Sequence, residues 1–468
     1  MPLDIQALLQ EAEGQNYALH REHVNPRFAK VLRLIGFDRC YVRAQGPYVW
    51  DDAGTRYLDL ISGYGVFALG RNHPELRRAL QGFMALDYPS LVQMEAPLLS
   101  GVLARELKRR VPEGLERVYF SNSGTEGVEA AIKFARCATR RPAILYCHKA
   151  FHGLTNGSLA LSGDETFREG FAPFLPECRA IPFNDLPALE QALAAGDVAA
   201  FVVEPIQGKG VNLPEPGYLG EAAALCRRHG ALFVVDEVQT GVGRTGRFLA
   251  IEHEPGLEPD ILVLSKALSG GYVPVGAVLM RRSVYDKVFS SLERAVVHSS
   301  TFGQGSLAMV AALATLTVLD EEGVVERSQR MGRRLLQGLE AMVGRYQFLK
   351  EVRGRGLMVG IELGPPSTLG LKTAWAMVHR LDRSLFPQAL IIPLLDEHHM
   401  ITQVAGHHMD VIKLLPPLVL EEQDVNEFLR AFEQVLADLE RFPGPAWDVL
   451  TRMGRFSLGQ RDAGGAAG

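Results

Sequence analysis

The chain has 468 residues, 47% of them apolar and 22% charged. That is the balance of an ordinary globular protein, long enough for more than one domain and a large buried core. The formal charge of −5 is small for this length and gives no electrostatic ground for nucleic acid or an anionic membrane as the main partner. No stretch approaches the roughly 20 apolar residues of a membrane-spanning helix, and Met1 to Gln10 lacks the basic start and apolar run of a secretory signal. Five scattered cysteines without a C-x-x-C pair read as small buried hydrophobes in a reducing, cytoplasmic setting.

In chain order, Tyr48-Val49-Trp50, the turn residues Asp51 to Gly54, and Tyr57-Leu58-Asp59 predict a hairpin. Arg117 to Phe120 reads as a strand and Gly124 to Thr139 as a helix, with Val128, Ala131, Ile132 and Ala135 on one face. Ala143 to Leu145 and Ala199 to Val203 are strand-like. Glu221 to Arg228 reads as a helix that Gly230 ends. Ala231 to Val235, Ile261 to Leu264 and Ala277 to Met280 are continuous apolar runs of the buried-strand type. This alternation predicts an α/β domain with a mainly parallel sheet.

Helical spacing returns at Leu307, Val310, Ala311, Ala314 and Val318, to about Asp320. Beyond about 330 the character changes. An amphipathic helix through Leu335, Leu336, Leu339, Met342 and Val343 precedes expected strands at Met358 to Leu363 and Ala389 to Ile392. The expected division is a large domain over 60–325 and a smaller α+β domain built from 1–59 and 326–444. The tail, 445–468, ends in Ala463 to Gly468 and is expected to fray.

The chemistry gathers where strands end. Asp236 closes the run Ala231 to Val235, and a carboxylate at the carboxyl end of a buried parallel strand sits where open α/β sheets bind ligands. Such a charge is costly unless a cation or strong donor meets it. Thirty residues on, Ile261 to Ser265 delivers Lys266 to the same edge, with Gly270 and Gly271 loosening the chain beyond it. The pair can be a structural ion pair. Ser121-Asn122-Ser123-Gly124-Thr125-Glu126 joins a strand to a helix and offers free N–H groups and hydroxyls to an anion, or serves only as an N-cap. Taken together the three describe one need. A phosphate is held at a helix start, a carboxylate keeps a pyridine nitrogen protonated, and a lysine forms a Schiff base with an aldehyde, which is what pyridoxal 5'-phosphate requires.

On these residues the chain resembles the class III aminotransferases of the fold-type I pyridoxal-phosphate superfamily, in the style of the ornithine and acetylornithine branch. The likeness runs from about Gly46 to about Leu439. It implies that Lys266 carries the cofactor and shuttles protons, that Asp236 binds the pyridine nitrogen, and that Gln239 lies near the phenolic oxygen. Phe120 to Glu126 resembles the phosphate loop, so Ser123, Gly124 and Thr125 would line the phosphate. Phe151-His152-Gly153 resembles a motif whose aromatic ring stacks on the cofactor, and Glu204 opens a matching Glu204 to Gly208 segment. Thr301-Phe302-Gly303 resembles the segment through which a neighbouring subunit reaches the phosphate, which implies a homodimer with a shared site. Tyr64 falls where ornithine-type enzymes place a pocket tyrosine. The implied reaction is ping-pong amino transfer between an amine or amino-acid donor and an aldehyde or 2-oxo acid; an aminomutase or decarboxylase on the same fold is the alternative.

Gly241 to Gly246 matches G-x-G-x-x-G, but the strand before it ends too early and no long helix follows, so it reads as an active-site loop rather than a dinucleotide site. The doublets His398-His399 and His407-His408 point their rings in different directions on any regular element. They read as pocket or surface residues, with no metal expected. Two departures bear on substrate. Lys413, in Val411 to Leu418, stands where the family commonly has an arginine for the α-carboxylate, and an ammonium lacks the two-donor fork. Lys209-Gly210-Val211 stands where the ornithine branch carries the acidic residue that masks that arginine. The pocket is therefore expected either to take an amine or aldehyde without a conventionally bound α-carboxylate, bulky or long, or to bind glutamate less tightly through Lys413. Arg355 is a second candidate cation.

Overall fold

The computed structural model describes residues 3–92, 94–381 and 385–441, together with Gly444, Trp447 and Leu450. Its strands are β1 (Tyr41–Gln45), β2 (Tyr48–Asp51) and β3 (Arg56–Asp59); β4 (Arg117–Ser121), β5 (Ala143–Cys147), β6 (Cys178–Ile181), β7 (Val198–Val203), β8 (Leu232–Asp236), β9 (Ile261–Leu264) and β10 (Gly276–Met280); and β11 (Leu349–Arg355), β12 (Met358–Leu363), β13 (Met400–Ile401), β14 (Gln403–Val404) and β15 (Val411–Leu414). The middle group forms one seven-stranded sheet in the order β4-β10-β9-β8-β7-β5-β6. β10 runs antiparallel to both its neighbours, and the other pairings are parallel. Every residue of β5, β7, β9 and β10 is buried, which is why these segments read as unbroken apolar runs rather than alternating ones.

The helix Gly124–Thr139 lies on this sheet with Val128, Ala131, Ile132 and Ala135 all buried, as the spacing predicts. Its glycine at 127 permits the contact, since a Cβ there would fall 2.7 Å from Val263 Cγ1. The predicted hairpin forms as β2 and β3, joined by β1 on one side and by β13 in parallel on the other. A third, antiparallel sheet has the order β11-β12-β15-β14. Among the described residues no helix is long and apolar enough to cross a membrane.

Two expectations need correction. Ala389 to Ile392 is not a strand but part of the helix Gln388–Asp396, which follows Pro387 and is buried from Ala389 through Leu395. A short run buried on all sides has no periodicity that separates helix from strand. The amphipathic helix spans Val324–Glu340, so Met342 and Val343 lie past its end. Within the expected tail, Trp447 is buried and donates from Nε1 to Leu439 O at 2.9 Å; Ala463 to Gly468, where fraying is expected, lie outside the described residues. The Gly241 to Gly246 run is a series of turns followed by a single 3-10 turn, Ala250–His253.

Those turns are pressed between two other elements. Gly356, between β11 and β12, adopts φ +54°, and a Cβ on it would meet Thr245 C at 2.3 Å. Gly332, within the helix Val324–Glu340, would carry a Cβ 2.2 Å from Gly356 O. Backbone atoms cannot swing aside as a side-chain tip can. Gly332→Ala should therefore destabilise the protein by about 1–3 kcal/mol, read from the midpoint of urea unfolding. Gly82→Ala, in the helix Pro74–Met84 with nothing within 4 Å, should instead stabilise it by about 0.5–1 kcal/mol.

Candidate active site

Sheet register brings the charged residues together. Val203 of β7 pairs with Val235 of β8, so Glu204 and Asp236 leave the sheet side by side. Asp236 in turn pairs with Val263 of β9, so Lys266, three residues on, emerges at the same carboxyl edge. Lys266 begins a 3-10 turn with φ +41°, a backbone region that non-glycine residues rarely occupy and that costs energy. The loops after β4 and β5 reach this edge as well, carrying Asn122 to Thr125 and Phe151 to Gly153.

Asp236 is buried; its Oδ1 accepts from Val238 N at 3.0 Å, and its Oδ2 lies 2.7 Å from His152 Nδ1. Burial of the His152 ring opposes its charged form, but the contact with Asp236 and the nearness of Glu204 win and raise its pKa. His152 Nε2 is buried without a hydrogen-bond partner among the described residues. Glu204 is also buried, which raises its pKa, although it accepts from Phe151 N at 3.0 Å and Gly208 N at 2.8 Å. Burial lowers the pKa of the Lys266 amine against the pull of Asp236 and Glu204, and no hydrogen bond among the described residues holds its Nζ.

At the start of the helix Gly124–Thr139, Ser123 is the N-cap and accepts from Glu126 N at 3.3 Å. Glu126 reaches back to Asn122 N at 2.7 Å, closing the loop on itself. A Cβ on Gly124 would sit 2.7 Å from Val238 Cγ1, so only glycine lets the helix start approach the turn after Asp236. Thr125 Oγ1 shares hydrogen bonds with Thr155 Oγ1 and Ser158 Oγ at 2.7 and 2.6 Å.

The opposite wall carries two more lysines. Lys413 is buried in β15 and donates to Gly208 O at 2.7 Å and Gln239 Oε1 at 3.4 Å. Burial, with repulsion from Lys266 and Lys209, brings its pKa down to about 7. Lys209 is ion-paired with Asp164, which also meets His407 Nδ1 at 3.1 Å. Burial opposes ionisation of Asp164, yet Lys209 and His407 hold its carboxyl well below the usual range. Lys209 Nζ also lies 4.1 Å from the centre of the Phe167 ring. Gln239 Nε2 donates to Tyr64 O at 3.2 Å.

One cavity of about 700 Å3 unites these groups. It is lined by Lys266, Asp236, Ser123, Gly124, Thr125, Phe151, His152, Glu204, Gln239, Tyr64 and Lys413. Thr301 is exposed and does not line the cavity of its own chain; its neighbour Ser300 accepts from Asn122 Nδ2 at 2.7 Å. Arg355 stands elsewhere, near Glu254 and His253. The sequence reading did not find Asp164, which looks there like a mere cap of the short helix Glu165–Arg168. It also did not find the pairing of His152 with Asp236, 84 residues apart. Among the described residues no group of three or more histidine, cysteine, aspartate or glutamate side chains is placed to hold a metal.

Comparison with known proteins agrees with this geometry. Among curated proteins, the aminotransferase PigE of Serratia sp. is 35% identical over 472 residues; the match covers 94% of this chain, and the chain spans 55% of that relative's length. Among solved structures, the ornithine aminotransferase of Toxoplasma gondii superposes with a TM-score of 0.82 at 30% identity, covering 94% of this chain and 99% of the other. A second structure of that enzyme has partial occupancy of pyridoxal phosphate at its active site. An (S)-enantioselective omega-transaminase from Thermomicrobium roseum superposes with a TM-score of 0.79 at 26% identity, covering 94% and 100% of the two chains. The family description Aminotransferase class-III matches residues 35–436, and the chain belongs to that pyridoxal-phosphate-dependent family.

Proposed function

We propose that this chain is a pyridoxal-phosphate-dependent aminotransferase whose amine substrate lacks a conventionally held α-carboxylate. The observation that supports the reading best is the edge where Lys266, Asp236 and the start of the helix Gly124–Thr139 share one cavity. The residues fit the cofactor. No hydrogen bond among the described residues holds Lys266 Nζ, Gly124 lets the helix start close against Val238 beside Asp236, and the carboxylate of Asp236 is backed by a buried histidine. Ser123, Gly124 and Thr125 would hold the phosphate, Phe151 would cover one face of the ring, and Gln239 would meet its oxygen. When bound, pyridoxal phosphate supplies an aldehyde that condenses with amines and a ring that withdraws charge from the carbon next to the nitrogen.

Asp236 would keep a proton on the ring nitrogen, and His152 would fix that carboxylate in place through Nδ1. Lys266 Nζ would accept a proton from the substrate carbon that bears the amine and return it elsewhere; burial favours the neutral, proton-accepting form of the amine. Thr301 lies outside its own cavity, so in a two-fold dimer it would complete the phosphate site of the other protomer. The domains would divide near residues 60 and 325, with the cofactor in the larger one.

The substrate reading rests on cations already in use. Lys413 directs two of its three N–H donors to Gly208 O and Gln239 Oε1, and Lys209 is ion-paired with Asp164. Neither offers a free, two-donor grip on a carboxylate.

Two expectations follow for amino transfer, measured as loss of a donor amine and its appearance on an added carbonyl acceptor. Lys266→Ala should cut the rate by about 10³-fold or more, as expected when a general base is removed, and retention of full activity would contradict the assignment. Lys413→Arg should raise kcat/KM for glutamate relative to a carboxylate-free amine by about tenfold, because arginine restores the planar fork. The pH dependence separates the same two forms. With a pKa of about 7, Lys413 is charged below that value and neutral above it. Residual use of glutamate by the natural protein should therefore decline as pH rises through 7, while arginine stays charged and removes the step.

A further inference from the structure

The cavity at Lys266 borders a second one, of about 790 Å3, and Tyr64, Gln403 and Val404 line both. Each alone is large enough for a small organic ligand. The second is bounded by the helix Pro26–Leu34, by β1 and by the chain around β13 and β14. Its wall is apolar, formed by Phe28, Leu32, Ile35 and Phe37 on one side and Ile391 and Ile401 on the other. The helix Pro26–Leu34 buries only Ala29, while Phe28 is 54% exposed, so this apolar face lacks a covering partner within the described residues.

The charges at this cavity are those of Asp59, Arg43 and Arg71, and Arg71 Nε is buried without a hydrogen-bond partner among the described residues. Asp59 accepts from Ile61 N at 3.0 Å, Ser62 N at 2.8 Å and Arg71 Nη2 at 2.8 Å. The Arg71 guanidinium lies 4.1 Å from the centre of the Phe67 ring, and that of Arg43 lies 4.4 Å from the Trp50 ring. The remaining polar groups include neutral oxygens, Thr402 Oγ1 and Gln388 Oε1, neither with a hydrogen-bond partner among the described residues. A distal ammonium therefore finds no free carboxylate among the described residues, whereas a hydrocarbon chain finds walls that gain from being covered.

We infer that this second cavity receives the aliphatic tail of the substrate whose amine or carbonyl carbon reacts at Lys266. The ligand class is an amine, aldehyde or ketone with an uncharged hydrocarbon chain long enough to pass Tyr64 and Val404. The inference rests on the aminotransferase reading above and narrows its substrate. It also gives a use to the missing carboxylate grip, since a tail held along its length does not need a charged anchor at the reacting end.

The test separates binding from chemistry. The holoenzyme is reduced with borohydride, which fixes the cofactor and stops turnover, and the affinity of straight-chain 1-aminoalkanes from three to ten carbons is measured by calorimetry. Affinity should rise about fourfold per added methylene over the carbons that enter the cavity, then level off. Leu32→Trp, which fills the cavity from the helix Pro26–Leu34, should bring the levelling to shorter chains. Val31→Trp, at a half-exposed position on the same helix, does the same should the first variant fail to fold. Affinity independent of chain length, or a dependence that neither variant alters, overturns the tail site. Because the reduced protein performs no chemistry, a failure of amino transfer in the activity assay leaves this measurement standing. Flat affinities beside working transfer remove the tail site alone.

Discussion

Two carboxylates brought out of water next to each other, Asp236 and Glu204, set the terms for the rest of the site. Neither is stable there alone, because a buried anion costs several kcal/mol without strong donors or a cation. The fold answers each differently. Glu204 is raised in pKa by burial and tied to two backbone N–H groups, which makes it a brace between the loops after β5 and β7. Asp236 meets a histidine whose own pKa rises on contact, and keeps Lys266 nearby. In the proposed reading the arrangement would favour a positive ring nitrogen close to Asp236 and a lysine that gives up its proton readily. Both follow from a register of parallel strands that places the ends of β7, β8 and β9 in one row.

Much of that row is legible in the sequence because its strands are buried on both faces and short. Continuous runs such as Ile261 to Leu264 end abruptly in polar residues, and the polar residue after a buried parallel strand is the one presented to a ligand. The same signature fails outside the main sheet. Ala389 to Leu395 is as apolar as any strand here, yet Pro387 starts a helix, and a segment buried on every side carries no period to reveal it. Contacts between distant loops were also out of reach. His152 meets Asp236, and Asp164 meets Lys209, only because the parallel strands β5, β7 and β8 all end at one edge. Nothing local in Asp164 distinguishes it from any other helix cap.

The substitutions toward lysine make better sense in the folded protein than in the sequence. An arginine at 413 would need partners for a planar fork in a wall where Gly208 O and Gln239 present single acceptors. A lysine satisfies those acceptors and, with a pKa near neutrality, sheds its charge at modest cost. The pocket floor is thus less cationic than one built to hold a carboxylate, and the apolar cavity beyond Tyr64 continues the same trend. On the proposed reading, recognition would shift from charge at the reacting end toward burial of hydrocarbon along the chain, an interaction that grows with length and carries little directional demand.

The measurement that bears most directly on the central claim is the visible absorption spectrum of the purified protein with pyridoxal phosphate, before and after a carboxylate-free primary amine is added. The account predicts a yellow protein whose band disappears as the amine donates its nitrogen and returns when a carbonyl acceptor is supplied. A protein that stays colourless with the cofactor, or binds it without the yellow band of a lysine-bound aldehyde, would contradict the assignment of Lys266 and Asp236 as the working pair.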